Sequence, residues 1–201
     1  YTTFIFFEMM SFASYVWVVQ EETPEAISAS RSYLTIGVLG GLVTLMGVFL
    51  LYHLAGTLQL DALRDACAAV ENRRLLYAAG GCILFGFAAK AGMFPLHFWM
   101  PRSYTAAPAP ATAILSAVLS KAGIFGVLIV SCDMFYRDAD WGMLILMLGV
   151  VTMLLGAVLG LFSVNLKRTL ACSSMSQIGF ILVGVGMQGL LGAHNQLAVY
   201  G

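Results

Sequence analysis

Residues 32–56 run without a single Asp, Glu, Lys or Arg. A helix needs about 20 residues, each rising 1.5 Å, to cross a hydrocarbon layer roughly 30 Å thick. Inside that layer only helices and closed barrels satisfy their own backbone hydrogen bonds. The 32–56 run shows no polar/apolar alternation, and it carries Gly37, Gly40, Gly41 and Gly47, small residues that let helices approach closely. It reads as a membrane-crossing helix, and similar runs recur along the chain.

Hydrophobic residues make up 60% of the sequence and charged residues 10%, against about 25% charged in soluble domains. The fold class expected is an all-α polytopic transmembrane helix bundle. Uncharged runs place spans at 1–20, 32–56, 75–95, 109–131, 141–163 and 169–191, about six crossings and a C-terminal stub. Residues 21–31 (EETPEAISASR) read as a loop. Residues 58–74 repeat apolar positions at Leu60, Leu63, Ala66, Cys67 and Val70, the pattern of an amphipathic helix lying in the interface. Pro95 should break the third span, leaving a short piece through His97 and Trp99 to Pro101. The chain opens at Tyr1 already inside an apolar run and closes at Gly201 as another begins, so it reads as an internal piece of a single transporter domain covering 1–201.

Other classes are excluded by what the chain lacks. Its formal net charge of zero offers no basic surface to nucleic acid. Cys67, Cys82, Cys132 and Cys172 have no CxxC spacing, so neither a metal site nor a disulfide framework is expected. There is no Fe–S spacing, glycine-rich nucleotide loop or haem motif, hence no cofactor and no catalytic redox site of the chain's own. Positive charges divide evenly between alternate loops and leave the orientation open.

The informative residues are the charges left inside the spans. Glu8, Lys90 and Lys121 fall there, while the other seventeen formal charges sit in loops or at span ends. A charge at the centre of a spanning helix costs about 2.5–3.5 kcal/mol on insertion scales and usually marks function. All seven arginines stay near interfaces, and lysine is the basic residue that can give up its proton when desolvated. Proton handling is the chemistry this points to. The competing reading is that buried Lys and Glu pair only to hold helices together. Snorkelling explains neither lysine, because Lys90 lies roughly 22 Å along its helix and Lys121 near the middle of its own. A broken helix beside a buried lysine is a layout of ion-coupled transporters.

The segment KAGMFPLHFWMPRSYTAAPAPATAILSAVLSKAGIFG (90–126) resembles the core of the antiporter-like membrane subunits of respiratory complex I, group 4 membrane-bound hydrogenases and Mrp-type cation/proton antiporters. FFEMMSFASYVWV (6–18) resembles the family's segment with a buried glutamate before an SY pattern. NLKRTLACSSMSQIGF (165–180) resembles its DxKRxLAYSSxSQxG motif, with Asn165 and Cys172 departing from it. The resemblance covers the whole chain and matches the fifth to tenth of about fourteen family helices. It implies a proton- or Na⁺-translocating subunit in which Glu8 is the channel glutamate, Lys90 the lysine at the broken helix and Lys121 the lysine relaying protons onward. It implies other membrane subunits and the lipid bilayer as partners, H⁺ or Na⁺ as cargo, and a bacterial or archaeal cytoplasmic membrane. An oxidoreductase label, as in NADH dehydrogenase or hydrogenase, would come from the complex. The alternative is a scaffold subunit that kept the fold and lost transport.

Lesser candidates complete the reading. His97 is a candidate relay or a structural histidine. His53 reads as interfacial and His194 as a loop residue. Lys167 and Arg168 read as a headgroup or partner-subunit anchor, and Ser173, Ser174, Ser176 and Gln177 as inter-helix bonds or channel lining.

Overall fold

The structure, a computed structural model, describes the backbone of residues 2–200 and the side chains of residues 2–192. His194 falls outside the described side chains. Every regular element among the described residues is a helix. α1 is Thr2–Val19, α2 Pro24–Ala55, α3 Leu60–Ala68, α4 Arg73–Ala91 and α5 Trp99–Ala106. α6 is Ala109–Met134, α7 Ala139–Leu161 and α8 Leu166–Tyr200. Six of these, all but α3 and α5, are long and apolar enough to cross a membrane. Phe6, Phe12, Leu42, Met46, Phe125 and Leu154 are each more than half exposed on the outside of the bundle. So much bare apolar surface suits a lipid or helix environment and not water.

Four boundaries differ from the expectation, each for a local reason. α2 begins at Pro24, so most of the supposed 21–31 loop is helix. The Thr23 hydroxyl accepts the Ala26 N–H at 3.1 Å and Pro24 fills the first helical position, a start signal that outweighs the polar composition after it. The amphipathic helix stops at Ala68, short of residue 74, because Asn72 caps α4 through Leu75 N–H at 3.2 Å and draws Arg73 and Arg74 into its first turn. α3 buries Leu63 and Cys67, and its Arg64 guanidinium holds the end of α6 through the Cys132 carbonyl at 3.3 Å and Asp133 at 3.7 Å.

The third span ends at Ala91, four residues before Pro95. Gly92 takes a left-handed conformation (φ 77°) that closes the helix, and the Gly92 and Met93 N–H groups both reach the Ala88 carbonyl at 3.0 Å. The second half of the broken helix, α5, carries on past Pro101 to Ala106 because Pro101 lies in its first turn, where a proline is tolerated. α6 holds two π-helical stretches, Leu115–Leu119 and Val130–Met134, which nothing in the sequence announced.

Two packing units support the bundle. α2 crosses α4 where Gly40 meets Gly86 and Ala89. α7 and α8 form a hairpin whose contact runs through Gly142, Gly149 and Gly156, every seventh residue, against Gly186, Gly179 and Ser176 respectively. A Cβ on Gly149 would stand 2.8 Å from the Val183 nitrogen, so the two backbones touch directly.

Candidate functional site

The last turn of α4 carries Lys90 into the interior, where it is 3% exposed. Its ammonium donates to the Ser11 hydroxyl on α1 and to the Tyr33 hydroxyl on α2, the latter at 3.4 Å. The rings of Phe7 and Tyr33 lie 5.5 and 5.3 Å from Nζ, within cation–π range. Both hydroxyls send their own protons elsewhere. Ser11 donates to the Phe7 carbonyl at 3.1 Å; Tyr33 donates to Ser14, which donates to the Ser11 carbonyl at 2.9 Å. Two oxygen lone pairs and two ring faces therefore surround Lys90.

Glu8 stands one helical turn before Ser11 and is half-buried. Its carboxylate rests in a notch over Gly41, where a Cβ would come within 2.8 Å of Oε2. Its Oε1 is buried without a hydrogen-bond partner among the described residues. Among those residues the ion pair within 4.0 Å is Arg64–Asp133, not Glu8–Lys90. The structure thus brings Glu8 into Lys90's neighbourhood but leaves the two charges without a direct ion pair. An unsatisfied buried carboxylate oxygen is a group waiting for a proton, a cation or a water.

Protein groups satisfy the helix break from several sides. The Trp99 indole N–H donates to the freed Ala89 carbonyl at 2.7 Å, and its ring lies 5.0 Å from that of Tyr33. The Phe94 N–H donates to the Thr152 hydroxyl on α7 at 3.2 Å. Broken backbone persists in a membrane only where protein or a wet cavity satisfies it, as here. His97 is 8% exposed, stacks on Phe94 at 6.1 Å with the Phe98 ring tilted against it at 4.5 Å, and leaves Nδ1 without a partner among the described residues.

Lys121 is not brought to this group. Ser120, Gly123, Ile124 and Val127 form the inward face of α6, which turns Lys121 outward among Val118 and Phe125, both more than half exposed. The helix period decides this, since Lys121 lies about 100° round the helix from Ser120. Lys167 turns inward instead of anchoring a headgroup: its ammonium donates to the Ala107 carbonyl at 2.8 Å, while Arg168 is exposed. Ser174 makes an inter-helix contact with Ser116 at 3.3 Å, and Tyr104 one with Ser120 at 3.3 Å; Ser173 and Gln177 are exposed.

Sequence reasoning missed Tyr33, Gly41 and Thr152. Tyr33 and Thr152 are ordinary polar residues in apolar helices, and Gly41 is one glycine among several. Of the residues around Glu8 and Lys90, Ser11 and Ser14 lie inside a motif that the sequence singles out.

A family model described as "NADH:quinone oxidoreductase/Mrp antiporter, TM" matches residues 1–201. Over 191 residues the chain is 35% identical to hydrogenase-4 component B of Escherichia coli (strain K12), covering 92% of this chain and 28% of that protein. It is 33% identical over 202 residues to a Na(+)/H(+) antiporter subunit of Alkalihalophilus pseudofirmus, covering all of this chain and 40% of that one. A chain of the Mrp complex from Dietzia sp. superposes with a TM-score of 0.84 at 28% identity, over 92% of this chain and 35% of the other. The chain spans less than half the length of these relatives.

Proposed function

This chain belongs to the NADH:quinone oxidoreductase/Mrp antiporter family of transmembrane proteins, and we propose that it forms part of an ion-translocating subunit in a multi-subunit membrane complex. The cargo is H⁺, or Na⁺ exchanged against it, and the setting is a bacterial or archaeal cytoplasmic membrane. One observation carries this reading: Lys90, buried beside a broken helix, is held by neutral hydroxyls and rings while the nearby Glu8 carboxylate keeps an unpaired oxygen. A pair built only to join helices would close the salt bridge, because an unpaired buried charge is destabilising. Two charges kept near each other without a closed ion pair can exchange a proton instead. In this reading Lys121 and His97 are further relay candidates, and Lys121 takes part once other helices of the parent protein cover its face. The relatives' names, a hydrogenase component and an antiporter subunit, support a role inside a larger assembly. Any redox step belongs to other subunits of that assembly.

The test is proton or Na⁺ flux in vesicles reconstituted with the complete complex. Lys90→Met, which keeps the length but cannot carry a proton, should abolish most flux while assembly stays intact. Lys90→Arg should also fail, because a guanidinium holds its proton. Normal flux in both variants sinks the reading and leaves the scaffold role.

A further inference from the structure

The α7–α8 hairpin touches the broken helix at two points, one inside the break and one just past the end of α5. At the first, Thr152 is fully buried on α7; its hydroxyl donates to the Leu148 carbonyl at 2.6 Å and accepts the Phe94 N–H at 3.2 Å. Phe94 lies inside the break between α4 and α5, where no helical carbonyl remains for it. At the second, the Lys167 ammonium from α8 reaches the Ala107 carbonyl, the first residue past α5. That end of a helix carries the negative pole of its dipole, so a cation there is favoured, and the bond is charge-assisted. Thr112 adds its own hydroxyl to the Tyr104 and Pro108 carbonyls at 3.2 and 3.1 Å.

The two grips act together because α7 and α8 are locked backbone to backbone at Gly149 and Gly179. α5 in turn carries Trp99, whose indole seals the Ala89 carbonyl beside Lys90 and whose ring packs on Tyr33, a direct partner of Lys90. A continuous set of contacts therefore runs from the hairpin through α5 to the Lys90 hydroxyls.

We propose that the α7–α8 hairpin is a two-point clamp on the broken helix, with Thr152 and Lys167 as positioning residues that hold Trp99 and Tyr33 in register with Lys90. This rests on the reading of Lys90 as an ion-translocating group. It gives Lys167 a role inside the bundle, in place of a headgroup or partner anchor.

The experiment uses the full-length protein in its complex, in vesicles, with Thr152→Val and Lys167→Met set beside the conservative Thr152→Ser and Lys167→Arg, and Lys90→Met as reference. Spin labels at Arg102→Cys on α5 and Leu170→Cys on α8, both exposed positions, report the α5–α8 distance in a cysteine-free background. Thr152→Val and Lys167→Met should each lower the maximal ion flux about tenfold, the factor carried by one charge-assisted or buried hydrogen bond. The ion concentration at half-maximal flux should stay nearly constant. The label distance should shift or broaden in both variants, Thr152→Ser should restore it fully and Lys167→Arg in part. An unchanged distance and flux in both variants overturns the clamp, while a flux loss in Lys90→Met leaves the translocation reading standing. If Lys90→Met transports normally, that reading falls and the label distance alone decides the clamp. Should Thr152→Val fail to assemble, Lys167→Met decides, because half-exposed Lys167 can lose its bond without a hole in the core.

Discussion

Gly41 matters for what it omits. The Glu8 carboxylate occupies the space a Cβ would take, so Gly41→Ala must push it away from α2. The expected result is a severalfold loss of ion flux with normal assembly, measured in reconstituted vesicles. The effect should vanish in a Glu8→Gln background, because both changes act through the same carboxylate. An equal loss with and without Glu8 would mean that the glycine serves only helix packing. The same scale explains why Lys90 survives in an apolar interior: Ser11 and Tyr33 offer acceptors, and two rings offer their faces. Those four contacts replace much of the hydration an ammonium loses on burial.

At the scale of elements, the hairpin depends on backbone contact that larger side chains forbid. Gly179→Val would place its Cβ against the Met153 backbone, and overpacking of this kind costs about 1–3 kcal/mol. A clear drop in the melting temperature of the detergent-solubilised complex is expected. Gly184 sits on the same helix with open space at its Cβ, so Gly184→Ala should leave the melt unchanged or raise it slightly, alanine being the better helix former. Equal effects of the two substitutions would show that the heptad of glycines is not what holds α7 to α8. The broken helix follows the same rule of satisfied backbone, since Gly92, Trp99 and Thr152 take up groups that its interruption frees and Lys167 takes the carbonyl just past α5.

For the molecule as a whole, Lys121 is the proposed relay residue that the structure leaves exposed. A cation centred among Val118 and Phe125 is costly against lipid, so the proposed relay role requires that other helices cover that face. Lys121→Ala in the full-length chain should lower flux strongly while the complex still assembles. Full flux in that variant would assign Lys121 to helix packing and remove it from the ion path. The extent of bare apolar surface on α1, α2 and α7 agrees with a subunit surrounded by lipid and neighbouring subunits.

Composition and the placement of charges determined the class, the all-α bundle, the six helices long enough to span a membrane and the three charged residues inside their apolar runs. These are local properties, legible in windows of about 20 residues because a membrane imposes that length on every span. The interrupted helix was legible too, from Pro95, although Gly92 is where it stops. Tertiary structure alone decided the partnerships. Lys90 meets Ser11 across 79 positions of sequence. Glu8 rests on Gly41, Lys121 faces out and Lys167 faces in, all through the rotation of each helix about its axis. Apolar helices with no polar stripe carry little sequence signal for that rotation. In α6 and α8 it goes with glycine contacts on neighbouring backbone, Gly123 on Ala91 and Gly179 on Met153, which exist only once the helices have met.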